Sequence, residues 1–122
     1  MIYLIGAFPV LVYALPQDGK IVSGSGTINS DGAGKITVNQ TSQKIAINWK
    51  NFSIGKNESV VFLQPNISSS ALNNINGSLA SIIQGRLSAN GQIILVNTNG
   101  IQITSAANID VASIITSTLN IS

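Results

Sequence analysis

The chain has 122 residues, one domain's length, with 44% hydrophobic residues, only 8% charged residues and a formal net charge of +2. An ordinary apolar share with so few charges excludes a disordered chain, which is poor in apolar residues and rich in charge. Six Lys and Arg side chains spread from Lys20 to Arg86, with 5% aromatics, make no basic patch and exclude a nucleic-acid surface, while zero His and zero Cys exclude zinc sites, thiol chemistry and Ser-His-Asp triads in their usual forms.

The first feature in chain order is the apolar stretch Ile2 to Val12, broken by Gly6 and Pro9. It is too short to cross a bilayer, which needs about 20 residues. It runs into Val12-Tyr13-Ala14, a pattern of the kind that precedes a signal-peptidase cut. Residues 1–14 are therefore expected to be an export signal, with the mature chain starting at Leu15. No Lys or Arg follows Met1, so a truncated or misassigned start is expected. A buried first strand is the alternative, because short apolar runs are ambiguous. The absence of Cys also has two readings. A stacked β-fold rarely needs staples, and a disulfide formed in an oxidising compartment would close a loop that a narrow pore could not pass.

Beyond the turn pair Asp31-Gly32, alternation with period two predicts strands, since it puts one set of side chains on one face. Lys35 to Asn39 is one such segment, and Lys44 to Trp49 is the clearest, with Ile45, Ile47 and Trp49 on a shared face. Val60-Val61-Phe62-Leu63 and Ile93-Ile94-Leu95-Val96 are apolar on both faces, so their outward residues call for an extra sheet or a partner. Ile45, Ile47, Trp49, Val60 and Phe62 are the expected core. Leu72, Ile75, Leu79, Ile82 and Ile83 have near-helical spacing. The Asn and Gly residues among them are poor helix formers, so one short helical turn at most is expected there. Ile101 with Ile103, and Ile109 with Val111, close the series.

Asn-Gly pairs at Asn76-Gly77, Asn90-Gly91 and Asn99-Gly100 mark turns, because both residues enter positive φ at little cost. Strands recur about every 8–12 residues, as in sandwiches, barrels and β-helices. The even Asn, Ser, Thr and Gly texture favours stacked rungs with side-chain ladders. No strict short repeat is visible.

Chemistry-bearing residues are sparse. Asp18, Asp31, Glu58 and Asp110 lie far apart in sequence, and no acid/base constellation can be assembled from them. No catalytic, cofactor or metal site is expected, and the chain is read as not being an enzyme. Asn-x-Ser/Thr triplets at Asn39, Asn51, Asn57 and Asn66 are what chance supplies in such a composition. Trp49 is read as core, with a ligand platform as the weaker reading; if buried, its indole N–H needs a partner.

An ordered set of residues carries a family resemblance. It begins at Leu15-Pro16 with Gly19 and Val22, and continues through Ile45, Trp49, Phe52, Ile54, Val60-Val61-Phe62 and Gln64-Pro65. Leu72-Asn73, Ile83, Gly85 and Leu87 follow. The set is densest at Ala89-Asn90-Gly91-Gln92 and Asn97-Thr98-Asn99-Gly100-Ile101, and closes on Ser117 to Ser122. The chain resembles the two-partner-secretion, or haemagglutination-activity, domain of filamentous-haemagglutinin-like exoproteins, and its closing segment most resembles the high-molecular-weight adhesin branch. It departs from the family pattern at Thr98, where the family has Pro, at Ile103-Thr104-Ser105, where it has an aromatic-Gly step, and at Asn74, where it has Arg.

The resemblance implies an all-β fold, a right-handed parallel β-helix (a single-stranded solenoid) with an N-terminal cap and extra-helical strands. It implies residues 15–122 as the secretion domain at the N-terminus of a longer exoprotein. That exoprotein would be exported through the periplasm and outer membrane of a Gram-negative bacterium. The implied partner is an outer-membrane β-barrel transporter with periplasmic modules; Asn97, Asn99, Gly100 and Ile101 are the candidate residues for its recognition, the alternative being that Asn97 and Asn99 only shape a tight turn. The strand-forming run Ile93, Ile94, Leu95 and Val96 is the candidate for capture by strand addition. Contact with a host cell surface is expected through regions downstream, and the domain itself is expected to be monomeric. The alternative is a stand-alone adhesin module that binds host glycans or cells.

Overall fold

The computed structural model describes residues 14–119, and the leader expected over residues 1–14 lies outside them except for Ala14. Twelve strands follow in order: β1 (Lys20–Ser23), β2 (Gly26–Ser30), β3 (Lys35–Gln40), β4 (Lys44–Trp49), β5 (Ser59–Leu63), β6 (Ser70–Ile75), β7 (Ser81–Ile83), β8 (Arg86–Ala89), β9 (Gln92–Val96), β10 (Ile101–Ile103), β11 (Asn108–Asp110) and β12 (Ser113–Ser117). They form three sheets, ordered β1-β4-β6-β9-β12, β2-β3-β5-β8-β11 and β7-β10. From β3 onward every pairing is parallel and joins strands one coil apart. This is a right-handed parallel β-helix, with the handedness that crossovers between parallel strands almost always take.

Register explains why alternation was readable. On one face Ile36, Val60, Leu87 and Ile109 stack in successive coils. On the next, Ile45, Ala71, Ile93 and Ile114 do so. On the third, Ile54 bridges to Ile83, which pairs with Ile103. Each strand sends alternate residues inward, so the ladders fill the interior. The expected core residues Ile45, Ile47, Trp49, Val60 and Phe62 are all buried, joined by Phe52, Ile54, Ile83, Leu87, Ile93 and Leu95. Trp49 meets Phe52 edge to face, with ring centroids 5.6 Å apart.

The two ends differ. At the N-terminal end β1 pairs antiparallel with β4 and β2 antiparallel with β3. Leu15, Ile21 and Ile28 pack onto the core there, which is the cap expected from the resemblance. Gly19 lies against the indole: a Cβ on it would sit 2.4 Å from a ring carbon of Trp49. At the other end the described coils stop with the core uncovered. Ile103 stacks in register with the fully buried Ile83 yet is 42% exposed.

The described strands outside the parallel coils are β1 and β2, which seal an end instead of covering a face. The outward residues of the doubly apolar strands therefore stay partly open: Leu63 is 51% exposed, and Ile94 is half-buried beside Ile115 of β12, which is itself 49% exposed. The short helical turn considered over 72–83 does not form; β6 and β7 occupy that stretch. Its near-helical spacing came from two strands on different faces. Ile75 and Ile83 point inward and are buried, whereas Leu79 and Ile82 are exposed.

Candidate functional site

The densest part of the motif set folds as a hydrogen-bonded corner between β9 and β10. Asn97 is fully buried. Its Nδ2 donates to the Leu79 carbonyl and to Ser81 Oγ, each at 3.0 Å. Its Oδ1 accepts the Asn99 backbone N–H at 2.9 Å, an Asx turn of the kind Asn side chains favour. Gly100 N–H donates to the Asn97 carbonyl, and the Gly100 carbonyl accepts from Ser81 N–H. Gly100 has φ +115°, which suits glycine. Asn99 is exposed, and its Nδ2 donates to the Gly77 carbonyl at 2.7 Å. Asn97 thus welds its own coil to the one before it, whereas Asn99 does so from the surface. Ile101 starts β10 half-buried, packed against the core.

The strand-addition candidate is enclosed. Ile93 to Val96 lie in β9, which pairs in parallel with β6 on one edge and β12 on the other. Ile93, Leu95 and Val96 are buried. In the folded domain this segment has no spare ladder groups. Among the described residues the strands with one edge not paired to another strand are β1 and β2 at the cap, β10, β11 and β12 at the open end, and β7, whose second edge meets only the bridge from Ile54.

Sequence reasoning missed the buried polar groups that tie coil to coil. Trp49 Nε1–H donates to Asn73 Oδ1 at 2.9 Å, and Asn73 Nδ2 reaches the carbonyls of Ala71 and Ile94. Asn73 replaces an aliphatic residue in the ladder below Ile47, so it satisfies the indole at the cost of an apolar contact. At the corner after β3 and β5, Gln40 Nε2 reaches three carbonyls, those of Ser42, Gln43 and Ser70. Gln64 Nε2 donates to Gln40 Oε1, and Gly91 N–H donates to Gln64 Oε1 at 2.7 Å. Every buried side-chain polar atom among the described residues has a partner, which low-dielectric interiors demand. Glu58, also buried, accepts backbone N–H bonds from Gly55 and Ala14. The acidic residues do not gather: Asp110 stands near Arg86 at 3.8 Å, both exposed. Trp49 is 2% exposed, which settles it as core and not as a ligand platform.

A family model described as the TPS secretion domain matches residues 13–122. The chain belongs to that family. Among its relatives, a heme/hemopexin-binding protein of Haemophilus influenzae is 46% identical over 103 residues, covering 84% of this chain and 11% of that protein. The same-named protein of strain KW20 Rd is 41% identical over 104 residues, with 85% and 11% covered. The solved HMW1 secretion domain from Haemophilus influenzae superposes with a TM-score of 0.82 at 37% identity, over 88% of this chain and 28% of that one. The chain thus spans 11% of the length of these curated relatives.

In this TPS secretion domain the motif residues tie one coil to the next. The corner at Asn97–Gly100 joins two coils, and the Gln and Asn ladders do the same at other corners. TPS secretion domains belong to exoproteins that pass the Gram-negative outer membrane through a partner transporter.

Proposed function

We propose that residues 15–122 are the export-recognition element of a longer exoprotein, delivered to the periplasm by a leader cut after Ala14. There the periplasmic modules of an outer-membrane β-barrel transporter capture the chain before its coils close. The exoprotein crosses unfolded and refolds outside, where each finished coil offers edges for the next. The observation that carries this reading is the likeness to a solved secretion domain over 88% of the chain.

The geometry sets an order of events. Strand addition gives affinity through backbone bonds and choice through alternate side chains. Ile93 to Val96 have both edges occupied in the folded domain, so capture of that segment precedes the β6-β9 and β9-β12 pairings. Before the coils close Asn97 and Asn99 are both open to the transporter; after release Asn97 shapes the corner from inside and Asn99 from the surface. The test is export of Asn97→Ala and Asn99→Ala variants beside their cognate transporter, with the fold of each purified variant checked by circular dichroism. Loss of export by a folded Asn99→Ala variant supports contact. Undiminished export by both removes the recognition role from this corner.

The names of the curated relatives speak of haem and hemopexin. Haem iron is usually held by His, Cys, Met or Tyr. This chain has no His or Cys, and its Met and two Tyr all lie in residues 1–13, within the proposed leader. Any haem or hemopexin binding by the whole protein, or contact with a host surface, is therefore assigned to sequence beyond this domain. The domain itself acts as a monomer.

A further inference from the structure

The three Asn-Gly pairs are chemically labile positions that the fold closes. In an Asn-Gly sequence the glycine amide nitrogen attacks the Asn Cγ, ammonia leaves, and a succinimide forms. Water then opens the ring to Asp or isoAsp. The step needs a free, mobile glycine N–H and a side chain able to swing over it. Here all three glycine N–H groups are held. Gly77 donates to the Lys50 carbonyl at 3.0 Å and Gly100 to the Asn97 carbonyl at 3.0 Å. Gly91 donates to Oε1 of buried Gln64 at 2.7 Å.

The asparagine side chains are held as well. Asn90 grips the Gln64 backbone from both sides: its Oδ1 accepts the N–H at 2.8 Å and its Nδ2 donates to the carbonyl at 2.7 Å. Asn99 Nδ2 donates to the Gly77 carbonyl, and Asn76 Oδ1 accepts from Asn74 Nδ2 at 3.2 Å. Nor can the lability be removed by a larger second residue. A Cβ on Gly77 would lie 2.1 Å from the Lys50 carbonyl oxygen, and one on Gly91 would lie 2.5 Å from that of Ser69. At Gly77 and Gly91 the close coil-to-coil approach demands glycine, and at Gly100 the φ of +115° does; the turn bonds favour asparagine.

We propose that Asn76, Asn90 and Asn99 are deamidation sites that open only while the domain is unfolded, so that time spent unfolded is recorded covalently. The record matters most at Asn90. An Asp there puts a carboxylate oxygen against the Gln64 carbonyl in place of the Nδ2 donor, two acceptors facing each other. A chain delayed in the unfolded state thereby loses the corner that locks β5 to β8 and refolds less well. The proposal rests on the export reading only for when the chain is unfolded; its chemistry is measured on the purified chain with no transporter present.

The experiment incubates the chain in mildly alkaline buffer, folded and in concentrated urea, and follows each Asn-Gly peptide by mass spectrometry. Deamidation at all three pairs should be at least about tenfold slower in the folded protein, since exchange-type chemistry of a held amide waits on local opening. Equal rates in the two conditions, with the native circular dichroism retained in the first, overturn the protection. Asn90→Asp supplies the second measurement, with a lower urea midpoint than the wild type expected. A midpoint equal to the wild type's overturns the refolding consequence.

Discussion

Truncating Asn97 to Ala removes four side-chain hydrogen bonds: to the Leu79 carbonyl, to Ser81 Oγ, from Asn99 N–H and from Asn99 Nδ2. The partners differ in what happens next. Leu79 and Asn99 are exposed, so water replaces the lost bonds and each costs only a fraction of about 1 kcal/mol. Ser81 is fully buried, and an unpartnered hydroxyl there costs about 1–3 kcal/mol. The sum is about 2–4 kcal/mol, a large part of a stability of about 5–15 kcal/mol. With a urea slope of about 2 kcal/mol per M, the midpoint falls by about 1–2 M. Trp49 is the one tryptophan in the chain and is buried, so its fluorescence reports the transition directly. Asn99→Ala loses bonds only at the surface and should cost about 0.5–1.5 kcal/mol. An Asn97→Ala midpoint within error of the wild type, or an Asn99→Ala loss as large as that of Asn97→Ala, would refute the assignment of Asn97 as a buried weld.

Two further outcomes follow from hydrogen bonds elsewhere in the domain. Asn73→Ala strips the acceptor from the buried Trp49 indole N–H and leaves a gap in the core. The expected cost is about 2–4 kcal/mol, read as a fall of about 10 °C or more in Tm by calorimetry. Asp31 sits in the turn between β2 and β3, where its Oδ1 accepts the N–H groups of Ala33 at 2.7 Å and Lys35 at 3.0 Å. The Ala33 bond, then that of Lys35, holds its carboxyl below the ordinary value of 3.8. A depressed folded value means that its contribution is intact above the unfolded value and is lost as pH falls through the folded one. An NMR titration of the Asp31 carboxyl should give a midpoint below 3.8, and Asp31→Asn should abolish that part of the acid loss; a midpoint at or above 3.8 would contradict the turn geometry.

Much of the fold was legible because a solenoid strand buries one face. Ile45, Ile47 and Trp49 alternate in sequence and alternate inward in space, and the same logic found Val60 and Phe62. The turns at Asp31-Gly32 and Asn99-Gly100 could be read from residue type alone, since positive φ is needed there. Local pattern failed where one residue type serves two neighbours. Leu72 to Ile83 looked partly helical because two strands on different faces happened to space their aliphatics at three and four.

What the sequence determined alone is therefore the class of fold, the inward set of its clearest strands and its place among secretion domains, because these rest on short-range alternation and on an ordered run of motif residues. What only the tertiary structure decided is which coil lies beneath which. Inter-coil register matches residues some twenty or more positions apart, as with Trp49 and Asn73, or Gln64 and Gly91. No local periodicity encodes that distance, because the corners between strands differ in length from coil to coil. The same register enclosed Ile93 to Val96 on both edges and buried Asn97. The strand Ile93–Val96 and the residue Asn97, which looked like surfaces for a partner, are paired on both edges and buried, respectively, once folded.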